Sequence, residues 1–507
     1  MENYGILSIV PPVLSIALSI YYRNILFSLA IGALSGALIL TEFNPFLAVI
    51  NLIEEHVFVQ VSNSSNTQVL IVILAIGGFI RLLDLSGGAR AFSTAATQFV
   101  STAARAQLAA WAAGLSVFFT DSGNALIVGP LFKPVFRQLK VCREKLAFII
   151  DTTAAPVTIL VPFATWGVYI MGLIESSYND IGLTDNPFSV LLSIWPYQFY
   201  ALLALLSIPM ILSTGKDFGP MAKAQTRYDK AIAQGTLEDE DEPPSASNSA
   251  STADSGISTI VLPFAVMLGS MVVVLSYFAL TEGIKGVHVR SGIFVSYILA
   301  SMACAYLMRK RQQIPYSNAV TQYIGGAEKL LFNCLILILA WSLGSVCKDL
   351  QTGAYLASLI GDSVSPQYFP VIVFFLGALM SFATGSSYGT FAILMVIVVP
   401  VAHTLGAPMH LTIAAVLSGG LFGDHTSPIS DTTVLASMGS GCPHIDHVST
   451  QFAYAVLSGL MTILAFVIAA TYESPLVILV VLALQYFIIV WLMKMFGHDS
   501  ATGIRTE

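Results

Sequence analysis

Polar side chains that could bind a small cation collect in one segment of an otherwise apolar chain. The segment GGLFGDHTSPISDTT covers residues 419–433, whereas 56% of all residues are hydrophobic. Asp424 and Asp431 bracket Pro428, which lacks a backbone donor and leaves helix carbonyls unpaired, and Gly423 also weakens the helix. Unpaired carbonyl oxygens of broken membrane helices coordinate Na⁺, with help from carboxylates and hydroxyls. The segment therefore predicts a helix break that holds Na⁺ at Asp424 and Asp431.

The acidic residues of this segment are candidates for binding either a cation or a proton. An ionised carboxylate is costly inside a membrane, so it tends to bind one or the other. His425 could serve as a proton relay, as a substrate contact or as a hydrogen-bond partner of Asp424. The hydroxyl groups could complete the site, or could bond the helix carbonyl four residues back. The candidate hydroxyl residues are Ser427, Ser430 and Thr432.

The first half of the chain carries a related polar set in the segment IIDTTAAP. Asp151 is followed by Thr152 and Thr153, and Pro156 predicts a second helix break. Asp151 could belong to the same ion or substrate site, or could cap a helix near the membrane interface.

Two short polar segments, TDSGN at 120–124 and TGSSYG at 384–389, are predicted to form the tips of hairpins. Small polar residues there let the N-termini of half-helices point at a ligand, where the helix dipole favours an anion or a carboxylate. They could also be plain turns. The candidate site residues at the tips are Asp121, Asn124, Thr384, Ser386 and Ser387.

The segment SGCPHIDHVSTQ at 440–451 holds Cys442, His444 and His447, which raises the question of a metal site. Their spacing fits no familiar zinc pattern. We expect instead a cytoplasmic loop that caps helices and docks against the linker.

These polar groups need elements that can hold them within a membrane. The mean hydropathy is +0.79 and only 10% of residues are charged, which excludes a soluble globular protein of this length. Apolar runs long enough to span a bilayer, about 20 residues each, recur along the chain. They predict an all-α polytopic membrane protein with about eleven transmembrane helices.

The chain is expected to divide into two membrane halves around one polar linker. The predicted parts are a first half at 1–213, a disordered acidic linker at 214–257, a second half at 258–495 and a tail at 496–507. Each half repeats one order of features, a hairpin followed by a broken helix. The hairpins are predicted at about 107–132 and 370–402, and the broken helices at about 146–173 and 410–437.

The distribution of Lys and Arg orients the halves, because basic loops stay in the cytoplasm. Basic loops flank the first hairpin, whereas residues 349–366 before the second contain no Lys or Arg. The two re-entrant hairpins would then enter from opposite faces, as in an inverted-topology repeat. The linker and the C-terminus are predicted to be cytoplasmic. Lys285 and Arg290 oppose this scheme, because they fall outside.

The sequence GGLFGDHTSPISDTTVLASMGSGCPHIDHVSTQ strongly resembles the signature of the NhaC-type Na⁺/H⁺ antiporter family, within a larger group of ion transporters. REKLAFIIDTTAAPV and TGSSYGTFAILMVIVVP resemble its other hallmarks. The resemblance implies a bacterial inner-membrane transporter with two re-entrant hairpins and two broken helices. It also implies that Thr433 joins the ion and substrate region, with Asp424, Ser427, Pro428, Ser430, Asp431, Thr432, Asp151, Thr152 and Thr153. His425 stands where many members have lysine.

The sequence favours Na⁺/H⁺ antiport by alternating access, with Na⁺ and H⁺ as coupling ions, a lipid bilayer as surroundings and no other cofactor. The alternative is Na⁺- or H⁺-coupled transport of an amino acid or a small carboxylate, since the variant D-H-x-S-P-I-S-D-T-T resembles a branch with presumed carriers of such solutes. We expect neither an enzyme nor a channel, and no nucleic-acid partner. The ATP-binding pattern G-x-x-x-x-G-K-[ST] is absent from the sequence. Analogy with the larger group alone suggests a homodimer.

Overall fold

The computed structural model describes residues 4–88, 100–234, 258–283, 285–360 and 364–499. These residues are almost entirely helical. In the first half the helices are α1 (Val10–Tyr22), α2 (Ile25–Leu40), α3 (Pro45–Asn51), α4 (Val59–Ser62), α5 (Ser64–Leu85), α6 (Ala103–Ser116), α7 (Asp121–Gln138), α8 (Arg143–Thr152), α9 (Ala155–Thr158), α10 (Thr165–Asp180), α11 (Pro187–Ile194) and α12 (Phe199–Thr214). After α13 (Gly219–Gln234), the second half has α14 (Ser258–Thr281), α15 (Gly286–Gln312), α16 (Tyr316–Glu328), α17 (Leu331–Asp349), α18 (Thr352–Ile360), α19 (Phe369–Thr384), α20 (Ser387–Leu405), α21 (Met409–Thr426), α22 (Asp431–Ser440), α23 (His444–Tyr472) and α24 (Val477–Phe496).

The helices have the length and composition of membrane spans. Within the described part of the chain, 9 helices are long and apolar enough to cross a bilayer, or up to 11 if two bent helix pairs each count as one span. One of these pairs, Ile25–Leu40 with Pro45–Ser62, bends by 115°. The chain is therefore an all-α, multi-pass membrane protein, which confirms the predicted fold class.

Asparagine side chains set where several of these helices begin. Asn24, Asn44, Asn63 and Asn186 each precede a helix and accept hydrogen bonds from backbone N–H groups of its first turn. Two of these helices also start with proline, at Pro45 and Pro187. Such caps satisfy N–H groups that have no partner within the helix.

Both halves contain a helical hairpin followed by an interrupted helix, in the predicted order. The first hairpin pairs α6 with α7, and the second pairs α19 with α20. Each interrupted helix packs against hairpins of both halves. In the second half, α21 packs against α19 of its own half, and α22 packs against α7 of the first half. In the first half, α8 packs against α7, and α10 packs against α20 of the second half. The entry of the two hairpins from opposite membrane faces stays a prediction.

The stretch predicted as a disordered linker begins with a well-packed helix, so that prediction is wrong for residues 219–234. Helix α13 is amphipathic and buries residues such as Met221 against α8 and α23. The Gln225 side chain accepts a hydrogen bond from the Cys142 backbone N–H (3.0 Å) and donates one to the Lys140 carbonyl (2.9 Å). Residues 235–257, which include the acidic run, lie outside the described residues, as do residues 500–507 of the predicted tail.

A buried ion pair holds the start of this segment in place. Asp217 is fully buried and pairs with Lys145, the third residue of α8. The Tyr454 hydroxyl of α23 donates to the other Asp217 oxygen at 2.9 Å. Asp217 and its neighbour also form a two-residue antiparallel ladder with His498 and Asp499. The segment after α12 is thus anchored to elements that carry the candidate site.

Arg290, which opposed the predicted orientation, is neutralised within the protein. Its guanidinium lies 2.7 Å from a Glu175 carboxylate oxygen and donates to Gln68 (2.8 Å) and Ser65 (3.2 Å). The residue is only 7% exposed. A paired, buried arginine contributes little to the charge of a loop, which removes it as an argument against the orientation.

Candidate functional site

The break in the second interrupted helix lies where the proline predicts it. Helix α21 ends at Thr426, and α22 begins at Asp431. Ser427 and Ser430 have extended backbone conformations on either side of Pro428. The C-terminal carbonyls of α21 and the N-terminal amides of α22 therefore meet at one place.

The break in the first interrupted helix is longer. Helix α8 ends at Thr152, and Pro156 lies in the first turn of α9, just after the chain leaves α8. The helical path resumes at Thr165 in α10. Pro156 thus follows the break, whereas Pro428 lies inside its own.

Gly423 does not break its helix, and the prediction that it does is wrong. The residue lies inside α21, where an added Cβ would collide with the Ala378 carbonyl oxygen and lie 2.6 Å from the Phe382 backbone nitrogen. Both of those residues belong to α19. Because glycine has no side chain, the backbone of the second hairpin can pack directly against the backbone of the interrupted helix.

Asp424 is buried with one carboxylate oxygen left over. The residue is 3% exposed, and its Oδ2 accepts a hydrogen bond from the Ser387 hydroxyl at 2.7 Å. Its Oδ1 is buried and has no hydrogen-bond partner among the described residues. An ionised carboxylate with an unpaired buried oxygen is unfavourable by several kcal/mol unless a cation or a proton binds it. The second hairpin tip thus contributes Ser387 directly to the Asp424 site.

Asp151 is held by residues of the other half. Its Oδ2 accepts hydrogen bonds from the Thr433 hydroxyl at 3.0 Å and from the Gln451 amide at 2.7 Å. Its Oδ1 also lacks a partner among the described residues. Asp151 is 1% exposed, so it is a buried acidic group and does not cap a helix at the interface.

His425 joins the two sets of predicted residues. Its Nε2 lies 3.2 Å from the Thr152 hydroxyl, and its Nδ1 lies 2.7 Å from the Tyr200 hydroxyl. Its backbone carbonyl accepts a hydrogen bond of 2.6 Å from the Gln451 amide, which also binds Asp151. His425 is therefore a bridge between the halves, and its side chain makes no hydrogen bond to Asp424.

The tip of the first hairpin carries an aspartate, an asparagine and an indole partner. Asp121 Oδ2 accepts a hydrogen bond from the Trp166 indole at 3.2 Å. The Asn124 amide donates to the Thr153 hydroxyl at 2.9 Å, while its Oδ1 is buried without a partner among the described residues. The Trp166 and Tyr388 rings lie 4.7 Å apart, so aromatic residues connect the first tip to the start of α20.

Other predicted site residues make mainly local contacts. Thr384 donates to the Met380 carbonyl in its own helix, and Ser386 accepts from the Gly389 amide as a helix cap. Ser427 donates to the Phe382 carbonyl of the second hairpin. The Ser430 and Thr432 hydroxyls lie 3.0 Å apart. The Ser430 hydroxyl also interacts with the Asp424 carboxylate, and the other four residues shape the backbone around it.

Helix dipoles separate the acidic residues into two kinds. Asp424 and Asp151 lie in the last turns of α21 and α8, where the dipole is negative and favours a cation or a proton. Asp431 and Asp121 lie at the first positions of α22 and α7, where the dipole stabilises an anion. Asp431 is exposed, and its Oδ1 accepts from the Thr432 amide at 2.8 Å. The buried pair suits ion exchange, and the other two suit attraction of cations toward the site.

Sequence reasoning did not place Tyr200, His447 or Gln451 in the ion or substrate site. Tyr200 is fully buried in an apolar helix, and nothing local marks it. His447 and Gln451 are four residues apart and share one face of α23, with a hydrogen bond of 3.0 Å between them. That spacing was visible in the sequence, but the segment was assigned to a loop. Among the described residues, no group of three His, Cys, Asp or Glu side chains could hold a metal ion.

Most of the chain matches a known family. A model of the Na⁺/H⁺ antiporter family matches residues 157–471. The chain belongs to the Na⁺/H⁺ antiporter family. The matched range includes Asp424 and all of the second break, whereas Asp151 and the first hairpin tip precede it. The family predicted from the motifs is confirmed.

Relatives of this Na⁺/H⁺ antiporter family member differ in their recorded cargo. An uncharacterised protein of Haemophilus influenzae is 29% identical over 96% of this chain and 95% of its own length. The malate-2H⁺/Na⁺-lactate antiporter of Bacillus subtilis is 30% identical over 35% of this chain and 38% of its own. The Na⁺/H⁺ antiporter NhaC of the same organism is 25% identical over 34% and 43%, respectively.

A solved transporter shares the fold. The YdaH transporter of Alcanivorax borkumensis superposes with a TM-score of 0.57 over 85% of this chain and 90% of that chain, at 14% sequence identity. At this identity the likeness concerns the fold alone.

Proposed function

We propose that this protein exchanges Na⁺ for H⁺ across the bacterial cytoplasmic membrane by alternating access, without catalysing a chemical reaction. The observation that carries the proposal is the unpaired Oδ1 of buried Asp424 at the C-terminal end of α21. Such an atom needs a cation or a proton, and cannot hold both at once. Competition between Na⁺ and H⁺ for one carboxylate is sufficient to couple the movement of one ion to that of the other.

The proposed Na⁺ site uses Asp424 as its central ligand. The Ser387 hydroxyl, which binds this carboxylate, and the Gly420 carbonyl, which accepts from the same hydroxyl, provide further oxygen atoms. Asp431 interacts electrostatically with Asp424, and its exposed position would attract cations to the mouth of the site. When Na⁺ arrives, Asp424 releases its proton, and movement of one half against the other changes the face to which the site opens.

In this scheme α13, the linker and the C-terminus lie in the cytoplasm. The proposal rests on the basic residues that surround the start of α8, including Lys140, Arg143 and Arg227. The partners of the protein are then the lipid bilayer and small ions.

The test is proton flux in proteoliposomes that hold a pH gradient. We expect Na⁺ to collapse the gradient of the native protein without any organic solute, with Li⁺ and K⁺ added separately to define selectivity. Asp424→Asn should slow this flux by about 100-fold or more, because a lost ionic contact of several kcal/mol corresponds to at least that factor. Asp185→Asn, which changes an exposed loop aspartate, is the control. Native rates in Asp424→Asn would contradict the proposed site.

The second candidate function is coupled transport of an amino acid or a small carboxylate. The Trp166–Tyr388 ring contact beside Asp121 offers apolar and polar surface of a kind that a bare ion does not need. The partial relative that exchanges malate and lactate points the same way. If Na⁺ alone produced no flux and a mixture of amino acids and carboxylates restored it, this candidate would replace the first.

A further inference from the structure

The segment SGCPHIDHVSTQ lies next to the buried acidic residues. His447 is completely buried, and its Nε2 lies 3.7 Å from Asp151 Oδ2. His444, at the start of the same helix, is partly exposed. Between the two imidazoles lies the Ser437 hydroxyl of α22, 3.1 Å from His444 Nδ1 and 2.9 Å from His447 Nδ1. A row of polar groups thus leads from the protein surface toward Asp151, with one gap between His447 and Asp151.

The Nε2 atoms of both histidines face acceptors. His444 Nε2 lies 2.6 Å from the Pro428 carbonyl, and His447 Nε2 lies 3.0 Å from Gln451 Oε1. The orientation of the Gln451 amide follows from its Nε2, which contacts the Asp151 carboxylate and the His425 carbonyl. Because these groups only accept hydrogen bonds, each imidazole must carry a proton on Nε2.

The two Nδ1 atoms then compete for one hydroxyl proton. If both imidazoles are neutral, both Nδ1 atoms are acceptors, and Ser437 can donate to only one of them. The Thr433 carbonyl, 2.8 Å from the same hydroxyl and 3.3 Å from His447 Nδ1, is a further acceptor that favours a proton on that nitrogen. All atoms are paired only when at least one imidazole carries a second proton. The hydrogen-bond arrangement can therefore accept one extra proton, which can pass between the two imidazole rings.

We propose that His444, Ser437 and His447 form the path by which protons reach Asp151 from the membrane face at which His444 lies. This inference rests on the proposed Na⁺/H⁺ exchange and identifies the route of its protons, on which Asp151 lies between the surface and Asp424, with which it interacts electrostatically. It also gives a role to a histidine pair that the sequence alone assigned to helix capping.

The proton balances at each step of the path. His444 takes up a proton from the solvent at Nδ1 and passes it to the Ser437 oxygen, while Ser437 gives its own proton to His447 Nδ1. His447, now charged, releases the proton on Nε2 to Asp151. The gap of 3.7 Å exceeds a hydrogen bond, so α23 and α8 must approach each other for this transfer. Rotation of the rings then restores the starting arrangement.

The charged and titratable groups around His447 come from three helices. Asp151 of α8 attracts a charged imidazole, whereas His425 of α21 and His444 of α23 oppose it when they are charged. Asp446, on the outer side of α23, is paired with Arg227 at 3.0 Å. Asp151 is thus the negative group toward which a proton on His447 is drawn.

The experiment compares Ser437→Ala with Ser440→Ala in proteoliposomes. Ser440 is an equally buried serine of the same helix, and its hydroxyl bonds only helix carbonyls. Two fluxes are measured, Na⁺-driven proton movement and exchange of radioactive Na⁺ for unlabelled Na⁺. We expect Ser437→Ala to slow proton movement by about tenfold or more with Na⁺/Na⁺ exchange unchanged. Ser440→Ala should match the native protein in both fluxes, and Ser437→Thr, which keeps the hydroxyl, should restore proton movement.

Each other outcome has a distinct meaning. Native proton movement in Ser437→Ala overturns the path while leaving the proposed antiport intact. Equal loss of both fluxes, or failure of Ser437→Thr to recover, assigns Ser437 a purely structural role and also overturns the path. If the native protein itself moves no protons in response to Na⁺, the proposed function fails and the path fails with it.

Discussion

The two buried aspartates occupy equivalent positions in the two halves but have different surroundings. Each lies in the last turn of the helix that precedes a break, Asp151 in α8 and Asp424 in α21. Asp151 receives two hydrogen bonds from the other half, whereas Asp424 receives one from Ser387 of its own half. The repeat thus supplies two similar carboxylates, and the contacts across the halves leave Asp424 more available to an incoming ion.

The contact between the hairpin and the interrupted helix also differs between the two halves. In the second half the hairpin reaches the interrupted helix by backbone contact at Gly423. In the first half, a Cβ at Gly114 would meet the side chain of Thr153, so the corresponding contact runs through a side chain. The Asp424 site is therefore built on two closely packed backbones, and the Asp151 site on side-chain hydrogen bonds.

The largest expected effect is a loss of proton movement when Asp151 is replaced, with Na⁺/Na⁺ exchange retained. Asp151→Asn should reduce Na⁺-driven proton movement by about 100-fold or more, because a neutral amide cannot accept the proton. Its Na⁺/Na⁺ exchange should stay within about threefold of native, since the contacts around Asp424 are unchanged. Asp424→Asn should instead lose both fluxes. An equal loss of Na⁺/Na⁺ exchange in the two variants would mean that both aspartates form one cation site.

Much of this arrangement could be predicted from the sequence, because it depends on local properties. Hydropathy gave the membrane class, and Pro428 marked a break at which both predicted aspartates, Asp424 and Asp431, are found. The different roles of these two residues could not be predicted. They follow from which helix end each occupies, and the helix boundaries are set only when the chain folds.

The contacts that join the two halves could not be predicted from the sequence for another reason. Tyr200 and Gln451 meet His425 across more than twenty residues of chain, so no local spacing reveals them. The helix at 219–234 was missed because the acidic run at 238–242 led to one assignment for the whole stretch. Its apolar face, which includes Met221, is a local signal that the composition of the full stretch conceals.

An intermediate effect is expected where the second hairpin meets its helix. Gly423→Ala should destabilise the protein by about 1–3 kcal/mol, because the added methyl group meets backbone atoms that cannot turn away. Gly325→Ala is the control, since nothing lies within 4 Å of a Cβ at that helical glycine. Thermal unfolding in detergent measures both. Gly114→Ala should have a smaller cost if the first half is the more adaptable, and an equal cost would remove that difference between the hairpins.

The smallest effect is expected at Asp431, the second predicted Na⁺ ligand. Its carboxylate is exposed and lies at the positive end of α22, a position that favours its charged form. Its charge can still raise the local concentration of cations. Asp431→Asn should therefore raise the apparent KM for Na⁺ by about two- to fivefold with kcat unchanged, and the difference should shrink at high ionic strength, where exposed charges are screened. A loss as large as that of Asp424→Asn, independent of salt, would instead place Na⁺ between the two aspartates, and the break would then hold the ion with both of its helix ends.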